Sequence, residues 1–384
     1  MRSEYLITLD THCRTSDACV KTGRGKLVAR QCLPTSIPTL LEFIRQVPRP
    51  RRLCFEEGPL AGWLCRNLAQ EVDELVVSDP RRNAYVGKDG DKDDPIDAEK
   101  LNDLYRANLI RPVHQSPSAE RAGFKQLVGA YHTAVRARVS RANCLLALGK
   151  RWGLMWKSST LLSGEAAEAL TASLRQAGAS PDVELIASLL SQGLKQAAEA
   201  EETLARRLRE LARGSELMRR LMEVPGYGPV RVATLVAYLD TPWRFHSREA
   251  LWKYCGIGLR RQHSGGGPEY VCVEQACNRT LRGVVLGAAQ RAIRVAPAAA
   301  RTLQGSPREM EEPDSCQRSD HENVNVFAER YARWLSAGLS PHNARRNVAR
   351  LMIQCVWSMW KSGESFNPAR LSPEPPEDRA KGRR

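Results

Sequence analysis

The sequence lacks the paired C-x-x-C spacing that zinc ribbons and zinc knuckles require. Its 11 cysteines stand singly along the 384 residues, so a structural zinc site is not expected. The N-terminus has no apolar signal region, and an odd cysteine count without such a region is typical of free thiols in a reducing compartment. We therefore expect a cytoplasmic protein.

Long apolar runs are also missing. No stretch of the sequence approaches the ~20 consecutive apolar residues that a membrane-spanning helix needs. A membrane partner is therefore not expected.

Acidic residues are outnumbered by basic ones. The chain has 58 Lys and Arg against 43 Asp and Glu, which gives a net charge of +15. A basic protein of this size usually meets a polyanion, and nucleic acid is the commonest one. A merely basic surface is the plainer alternative, so charge alone favours nucleic acid only modestly.

The N-terminal part alternates short apolar runs with helical patterns. Helices are predicted over 35–46, 60–68 and about 95–107, where apolar residues recur at helical spacing. The apolar runs that predict strands are 5–9, 18–20, 26–29, 53–55 and 75–77. Three strands joined by turns and then strand–helix repeats predict a mixed α/β sheet.

The rest of the chain is predicted to be mostly helical. Apolar residues at three- and four-residue steps from Ile186 to Leu211 indicate a helical hairpin or coiled coil, either as ordinary packing or as a protruding arm that dimerises. The polar segments 81–93 and 304–322 are predicted to be a mobile loop and a flexible insertion. The predicted domains are an α/β domain over 1–114, a helical coiled-coil region over 115–214, a mostly α domain over 215–368 and a disordered tail over 369–384.

Four acids stand at positions that favour metal chemistry. Asp10 ends the first predicted strand and Glu56 ends the fourth, while Asp94 and Asp97 begin the helix after the charged loop. Side chains at adjacent strand ends point into one crevice, and two acids three apart on a helix share a face. Converging carboxylates repel one another unless a hard cation such as Mg²⁺ neutralises them.

Simpler interpretations of these acids stay open. Asp94 before Pro95 is a good helix N-cap, and Asp97 completes a start that resembles a capping box. Asp10 also fits an ordinary strand-end turn. Glu57 adjoins Glu56, so spacing does not settle which of the two points into the crevice.

The C-terminal part contains a P-G-x-G turn and a serine before three glycines. Gly226 and Gly228 open a helix, where glycines let the backbone approach a phosphate; a simple tight turn is the alternative. Ser264 follows two arginines and His263, and a deprotonated serine attacks phosphorus; a flexible Gly/Ser loop is the alternative. Four arginines are candidates for binding backbone phosphate: Arg260, Arg261, Arg279 and Arg282.

These motifs resemble one family. The segments Leu9-Asp10-Thr11-His12, Phe55-Glu56-Glu57-Gly58-Pro59 and Lys92-x-Asp94-x-x-Asp97 are similar to the DEDD signature of the insertion-sequence transposases of the IS-one-ten family, which includes Piv and MooV invertase relatives. The order of the C-terminal motifs is also similar: P-G-x-G, Phe245-x-Ser247, a strand at Tyr254-x-Gly256-Ile257, Ser264-Gly265-Gly266 and Asn278-Arg279-x-Leu281-Arg282. The loop at 268–272 departs from the family pattern.

The resemblance implies a fold and a chemistry. It implies an RNase H-like (RuvC-like) N-terminal domain, a helix-hairpin-helix in the C-terminal transposase domain, and Asp10, Glu56, Asp94 and Asp97 as ligands of Mg²⁺, with Mn²⁺ as an alternative. It favours Glu56 over Glu57 and makes Ser264 the nucleophile. It also implies DNA and an element-encoded bridge RNA as partners, a homodimer or homotetramer, and association with the nucleoid when DNA is bound.

Three other functions stay open at this point. A Piv-type site-specific invertase would use the same chemistry at fixed sites. A RuvC-like junction nuclease would use the four acids without Ser264. A non-catalytic nucleic-acid-binding descendant of a transposase would bind but not cut.

Overall fold

The computed structural model describes residues 4–80, 94–116, 118–162, 166–262, 270–294 and 325–371. The chain divides into two compact units, residues 1–124 and residues 125–384. The predicted mobile loop at 81–93, the predicted insertion at 304–322, Ser264 and most of the predicted tail lie outside the described residues.

The first unit contains a five-stranded sheet. Its strands are β1 (Tyr5–Thr11), β2 (Thr15–Thr22), β3 (Leu27–Pro34), β4 (Arg51–Glu56) and β5 (Glu74–Ser78). Their order across the sheet is β3-β2-β1-β4-β5. The pairs β1–β2 and β2–β3 are antiparallel, whereas β1–β4 and β4–β5 are parallel. The predicted mixed α/β sheet is therefore confirmed.

Helices cover both faces of this sheet. The unit's helices are α1 (Ile37–Gln46), α2 (Ala61–Leu68) and α3 (Asp94–Arg106). Residues Ile7 and Leu9 of β1 pack in one core with side chains of α1 and α2. Leu6, on the opposite face, packs with Leu101 and Tyr105 of α3. Because side chains alternate along a strand, the even-numbered residues of β1 face α3.

The start of α1 shows how local sequence sets an element boundary. The helix was predicted from Thr35 but begins at Ile37, because the Ser36 hydroxyl accepts a hydrogen bond from the Thr39 backbone N–H. Pro38 occupies the first turn, where its missing N–H costs nothing. Ser36 therefore acts as the N-cap.

The second unit is mostly helical, as predicted. Its helices within the described residues are α4 (Ala119–Arg151, which begins in the first unit), α5 (Ala166–Gln176), α6 (Pro181–Gly214), α7 (Glu216–Leu221), α8 (Pro229–Leu239), α9 (Arg248–Tyr254), α10 (Arg279–Arg294), α11 (Val326–Ser336) and α12 (Pro341–Ser362). Strands β6 (Leu259–Gln262) and β7 (Tyr270–Val273) form an antiparallel pair.

Three local predictions in this unit need correction. Tyr254 ends α9 instead of lying in a strand, and the strand begins only at Leu259. Residues 270–272, predicted as part of an unusual loop, belong to β7, because their backbone pairs with β6. The chain at Pro368–Leu371 forms a short 3-10 helix, and the Leu371 carbonyl accepts hydrogen bonds from Arg330.

The long helices α4 and α6 pack against other parts of the second unit. Arg138 of α4 pairs with Glu201 of α6 at 2.6 Å. His132 of α4 is hydrogen-bonded to Thr234 of α8. On α6, Leu194 is buried, whereas Ile186 near the start of the helix is exposed. Packing therefore accounts for the middle and end of the predicted apolar stripe but leaves its beginning uncovered.

None of the described helices is both long enough and apolar enough to cross a membrane.

Candidate active site and nucleic-acid surface

Strand register brings Asp10 and Glu56 to the same edge of the sheet. The parallel pairing of β1 and β4 ends with Leu9 opposite Phe55, so Asp10 and Glu56 come one step beyond on neighbouring strands. Glu56 follows Cys54 by two residues, and Cys54 packs with Leu6 on the face that α3 covers. Alternation along both strands therefore directs the Asp10 and Glu56 side chains to the α3 face.

Helix α3 runs antiparallel to β1 and is held in step with it. The Asn102 side-chain amide donates to the Leu6 carbonyl at 2.8 Å. The Thr8 hydroxyl donates to the Ala98 carbonyl at 2.7 Å. Two residues further along β1 lies Asp10, and one turn further towards the N-terminus of α3 lies its first turn, which contains Asp94 and Asp97. The first turn of α3 therefore approaches Asp10.

Strand register and helix packing direct these acids to one edge of the sheet, and the metal site itself stays a prediction. Among the described residues, no group of three His, Cys, Asp or Glu side chains is arranged to hold a metal ion. The Asp94 side chain lies outside the described ones. Helix α3 begins at Asp94, so the capping interpretation also stays open.

A fifth acid, Asp17, lies next to this edge and was missed from sequence. Asp17 of β2 is directly opposite Asp10 in the antiparallel pairing with β1, and its exposed fraction is only 7%. Residues directly opposite one another share a face, and like charges there repel. The sequence feature that indicates this pairing is the short turn at 12–14, because the turn sets the register of β1 against β2.

The donor set at this edge fits a hard cation. Asp10, Asp17 and Glu56 offer carboxylate oxygens, which Mg²⁺ prefers over nitrogen or sulfur. His12 Nε2 lies 3.4 Å from Asp10 Oδ2. Lys21, on the same face of β2, is held 2.8 Å from Asp103 and 3.0 Å from Glu99 of α3.

The two glycines of the P-G-x-G turn have different surroundings. Gly226 has φ +89°, and a Cβ there would lie 2.4 Å from the Ala288 carbonyl oxygen of α10. Close packing therefore explains that glycine. Gly228 is the N-cap of α8, and an added Cβ would meet nothing within 4 Å. Open space in front of a helix N-terminus suits phosphate approach, and nucleic-acid binding at Gly228 stays a prediction.

Strands β6 and β7 frame the segment that contains Ser264. Their pairing ends with Gln262 opposite Tyr270, so residues 263–269 connect the two strands of a hairpin. Ser264 and the Arg261 side chain lie outside the described residues, and Arg260 is exposed on β6.

An open groove in the second unit has basic walls. Arg136 of α4, Arg231 of α8 and Arg279 of α10 line it together with Tyr131 and His132. Burial lowers the pKa of His132 below its ordinary value, and Arg136 lowers it further. The three arginines that line this groove make it suited to an anionic partner.

Comparisons with known proteins match part of the second unit to one family. Residues 218–304 match the family described as "Transposase IS116/IS110/IS902 family". That range contains the P-G-x-G turn, the β6–β7 hairpin and the start of α10. Over 252 residues the chain is 24% identical to the "Putative transposase y4pF/y4sB" of Sinorhizobium fredii (strain NBRC 101917 / NGR234), which covers 64% of this chain and 62% of that relative.

The chain spans less than two thirds of that relative's length. Both comparisons point to transposases, and the family match over residues 218–304 is to the IS116/IS110/IS902 family. The resemblance stated from the motifs is therefore confirmed at the level of the family.

Proposed function

We propose that the chain is a transposase that cuts and exchanges DNA strands with a metal-binding carboxylate site and a serine nucleophile. The observation that carries the proposal is the register of β1 and β4, which directs Asp10 and Glu56 to one face at one edge of the sheet. The mixed sheet, with two antiparallel and two parallel pairs of neighbouring strands, also supports an RNase H-like (RuvC-like) domain.

The residues that would hold Mg²⁺ are Asp10, Glu56, Asp94 and Asp97, and Mn²⁺ accepts the same oxygen ligands. When bound, the cation supplies charge stabilisation for oxygens that gain negative charge during phosphoryl transfer. The carboxylates themselves fix where that charge is neutralised, because strand and helix positions set their spacing.

Ser264 would perform the covalent step. Its hydroxyl loses a proton to a nearby base, for which His263 or a carboxylate is available, and its Oγ attacks a phosphorus of DNA. A serine–phosphate bond forms while the bond to one strand oxygen breaks, and that oxygen takes up a proton as a free hydroxyl. A hydroxyl of another strand then attacks the same phosphorus and releases the serine, so one phosphodiester replaces another without ATP.

Partners follow from this chemistry. DNA is the substrate, and a bridge RNA encoded by the element would choose the two DNA sites, to which the net charge of +15 is suited. Strand exchange between two DNA molecules needs more than one active site, which supports a homodimer or homotetramer. The protein would act in the cytoplasm, at the nucleoid. Gly228, Arg260, Arg261, Arg279 and Arg282 would contact nucleic-acid phosphates.

A trapping experiment tests the serine step. Labelled DNA is incubated with the protein, Mg²⁺ and any element-encoded RNA, and a denaturant-resistant protein–DNA adduct is sought. We expect the adduct with the unchanged protein and with Ser336→Ala, whose exposed hydroxyl bonds only within its own helix. Ser264→Ala should give none. Full cutting by Ser264→Ala without an adduct would instead indicate a junction nuclease.

A further inference from the structure

Helix α12 brings three arginines and a histidine to the surface of α10. Its first three turns carry His342, Arg345 and Arg346, then Arg350. Arg345 Nη1 donates to Gln290 Oε1 of α10 at 2.9 Å. We call Arg282 of α10 and the three arginines of α12 the α12 arginine cluster. Each of its four side chains is half-buried.

Positive charges in the cluster lower the pKa of neighbouring cationic groups. Burial lowers the pKa of Arg346, and the positive charge of Arg282 lowers it further. The pKa of Arg350 is lowered by burial and then by Arg346. The pKa of exposed His342 is lowered first by Arg346 and then by burial, with smaller contributions from Arg345 and Arg282. Like charges are therefore held close together at a cost to the folded protein.

No carboxylate among the described residues offsets this charge. The hydrogen bonds that these arginines make go to neutral acceptors, such as the side chains of Gln290, Asn343 and Asn347. Arg345 Nε is buried and lacks a hydrogen-bond partner in the described part of the chain. Elsewhere in the same unit arginines do pair with acids, as Arg138 does with Glu201.

The cluster also supports the segment that leads to Ser264. Arg350 Nε donates to the Ile257 carbonyl at 2.8 Å, two residues before β6 begins. Gly256 has φ +67°, and a Cβ there would lie 3.0 Å from Arg282 Cδ. The arginines are thus packed against the backbone that enters the β6–β7 hairpin, not spread over a distant surface.

We propose that the α12 arginine cluster is a binding site for the phosphodiester backbone of DNA. Guanidinium groups match phosphate oxygens with paired hydrogen bonds, and an anion would remove the repulsion within the cluster. The N-terminal end of α12 adds partial positive charge to the same place. The choice of DNA over another polyanion rests on the proposed function, because the hairpin beside the cluster carries the proposed nucleophile.

The test measures DNA binding without cutting. The double variant Arg345→Gln/Arg346→Gln is compared with Arg206→Gln/Arg207→Gln, which removes the same charge from exposed positions of α6. Both are made in the Ser264→Ala protein with EDTA present. Arg350 is left unchanged because it bonds to the backbone of Ile257. Thermal unfolding and circular dichroism check that each variant is folded.

We expect the cluster variant to lose at least about tenfold in affinity for duplex DNA, because charge-assisted contacts disappear. The slope of log K against log salt concentration should decrease in magnitude by about 2, because two phosphate contacts are lost. The α6 variant should stay close to the parent on both measures. Arg345→Lys/Arg346→Lys should fall between, since lysine keeps the charge but not the paired geometry.

Three results would overturn the proposal. Equal losses in the cluster and α6 variants would show a general charge effect. A loss for single-stranded RNA with none for DNA would assign the site to RNA. A change in thermal stability without any change in DNA binding would show that the cluster has a structural role and does not bind DNA. Failure of the adduct experiment would not affect these binding results, so the two proposals fail separately.

Discussion

Asp17 is a buried carboxylate that faces another carboxylate. It lies directly opposite Asp10 across β1 and β2 and is 7% exposed. Folding therefore brings two like charges together where solvent screens them poorly. A cation between them would convert that repulsion into binding energy.

Replacing Asp17 with asparagine should separate stability from metal binding. We expect Asp17→Asn to unfold at the same or a higher temperature without metal, because the repulsion is relieved. Its apparent affinity for Mg²⁺ should fall by about 10- to 100-fold, as for residues that support metal ligands. Thermal unfolding over a magnesium titration measures both quantities. An unchanged magnesium response would exclude a role for Asp17 at the metal.

His132 should make the second unit sensitive to acid. Burial and Arg136 lower its pKa in the folded protein, so the unfolded chain binds a proton at a higher pH than the folded chain does. Stability is therefore fully present above the ordinary histidine pKa of about 6.5 and decreases as pH falls through and below it. Thermal unfolding between about pH 7.5 and pH 5 checks the sign.

The control separates His132 from the other histidines. His132→Gln should show a shallower decrease in stability with falling pH than the unchanged protein does. His246→Gln, which changes an exposed histidine, should keep the original slope. Equal slopes in all three proteins would contradict the assignment.

At the scale of secondary-structure elements, the P-G-x-G turn has two separate structural roles. One glycine lets α8 and α10 approach each other, and the other leaves the N-terminus of α8 uncovered. The same four residues thus serve packing at one position and access at another.

The two glycines should respond differently to alanine. Gly226→Ala is expected to destabilise the protein by about 1–3 kcal/mol, because φ is positive and the new Cβ meets a backbone carbonyl. Gly228→Ala should cost less than about 1 kcal/mol, as at other N-caps, and should weaken DNA binding. Denaturant unfolding and a binding titration measure these effects. Similar stability losses in the two variants would contradict the packing argument.

The position of helix α3 on the sheet depends on side-chain hydrogen bonds between the two. Asn102 is fully buried and donates to the Leu6 carbonyl, which fixes the register of α3 along β1. Its amphipathic pattern predicted a helix over about 95–107, close to the observed Asp94–Arg106. The face it presents to the sheet was not predictable from that pattern.

For the whole molecule, the proposed metal-binding carboxylates and the proposed binding surfaces belong to different compact units. The carboxylates lie in residues 1–124, whereas the α12 arginine cluster lies in residues 125–384. Changes to the carboxylates should therefore affect strand cutting and spare DNA binding, whereas changes to the arginine cluster should affect DNA binding first.

Asp10→Asn and Glu56→Gln should abolish formation of the DNA adduct but leave DNA affinity within about twofold, because each change removes one negative charge and no cationic group that binds phosphate. Glu57→Gln is the matched control, since Glu57 is exposed beside Glu56 and should keep full activity. Adduct yield and binding are measured on the same preparations. An active Glu56→Gln with an inactive Glu57→Gln would reverse the assignment.

The sequence by itself determined most of the elements and the resemblance to one family. Apolar runs and helical spacing predicted the five strands and the long helices, and the motifs predicted the family that residues 218–304 match. Those features are local, because strand alternation, capping residues and short motifs involve neighbours along the chain. The prediction of a strand at Tyr254 was wrong, because α9 continues through that residue. Short apolar stretches are compatible with either a strand or a helix.

Only the tertiary structure decided which distant charges meet. The pairing of Asp10 with Asp17 depends on a strand register, and the arginine cluster depends on the packing of α10 against α12, more than 50 residues apart for Arg345 and Gln290. Gly226 likewise reveals its role only when α10 lies against it. Such contacts come from how whole faces pack, and residue spacing carries little information about that.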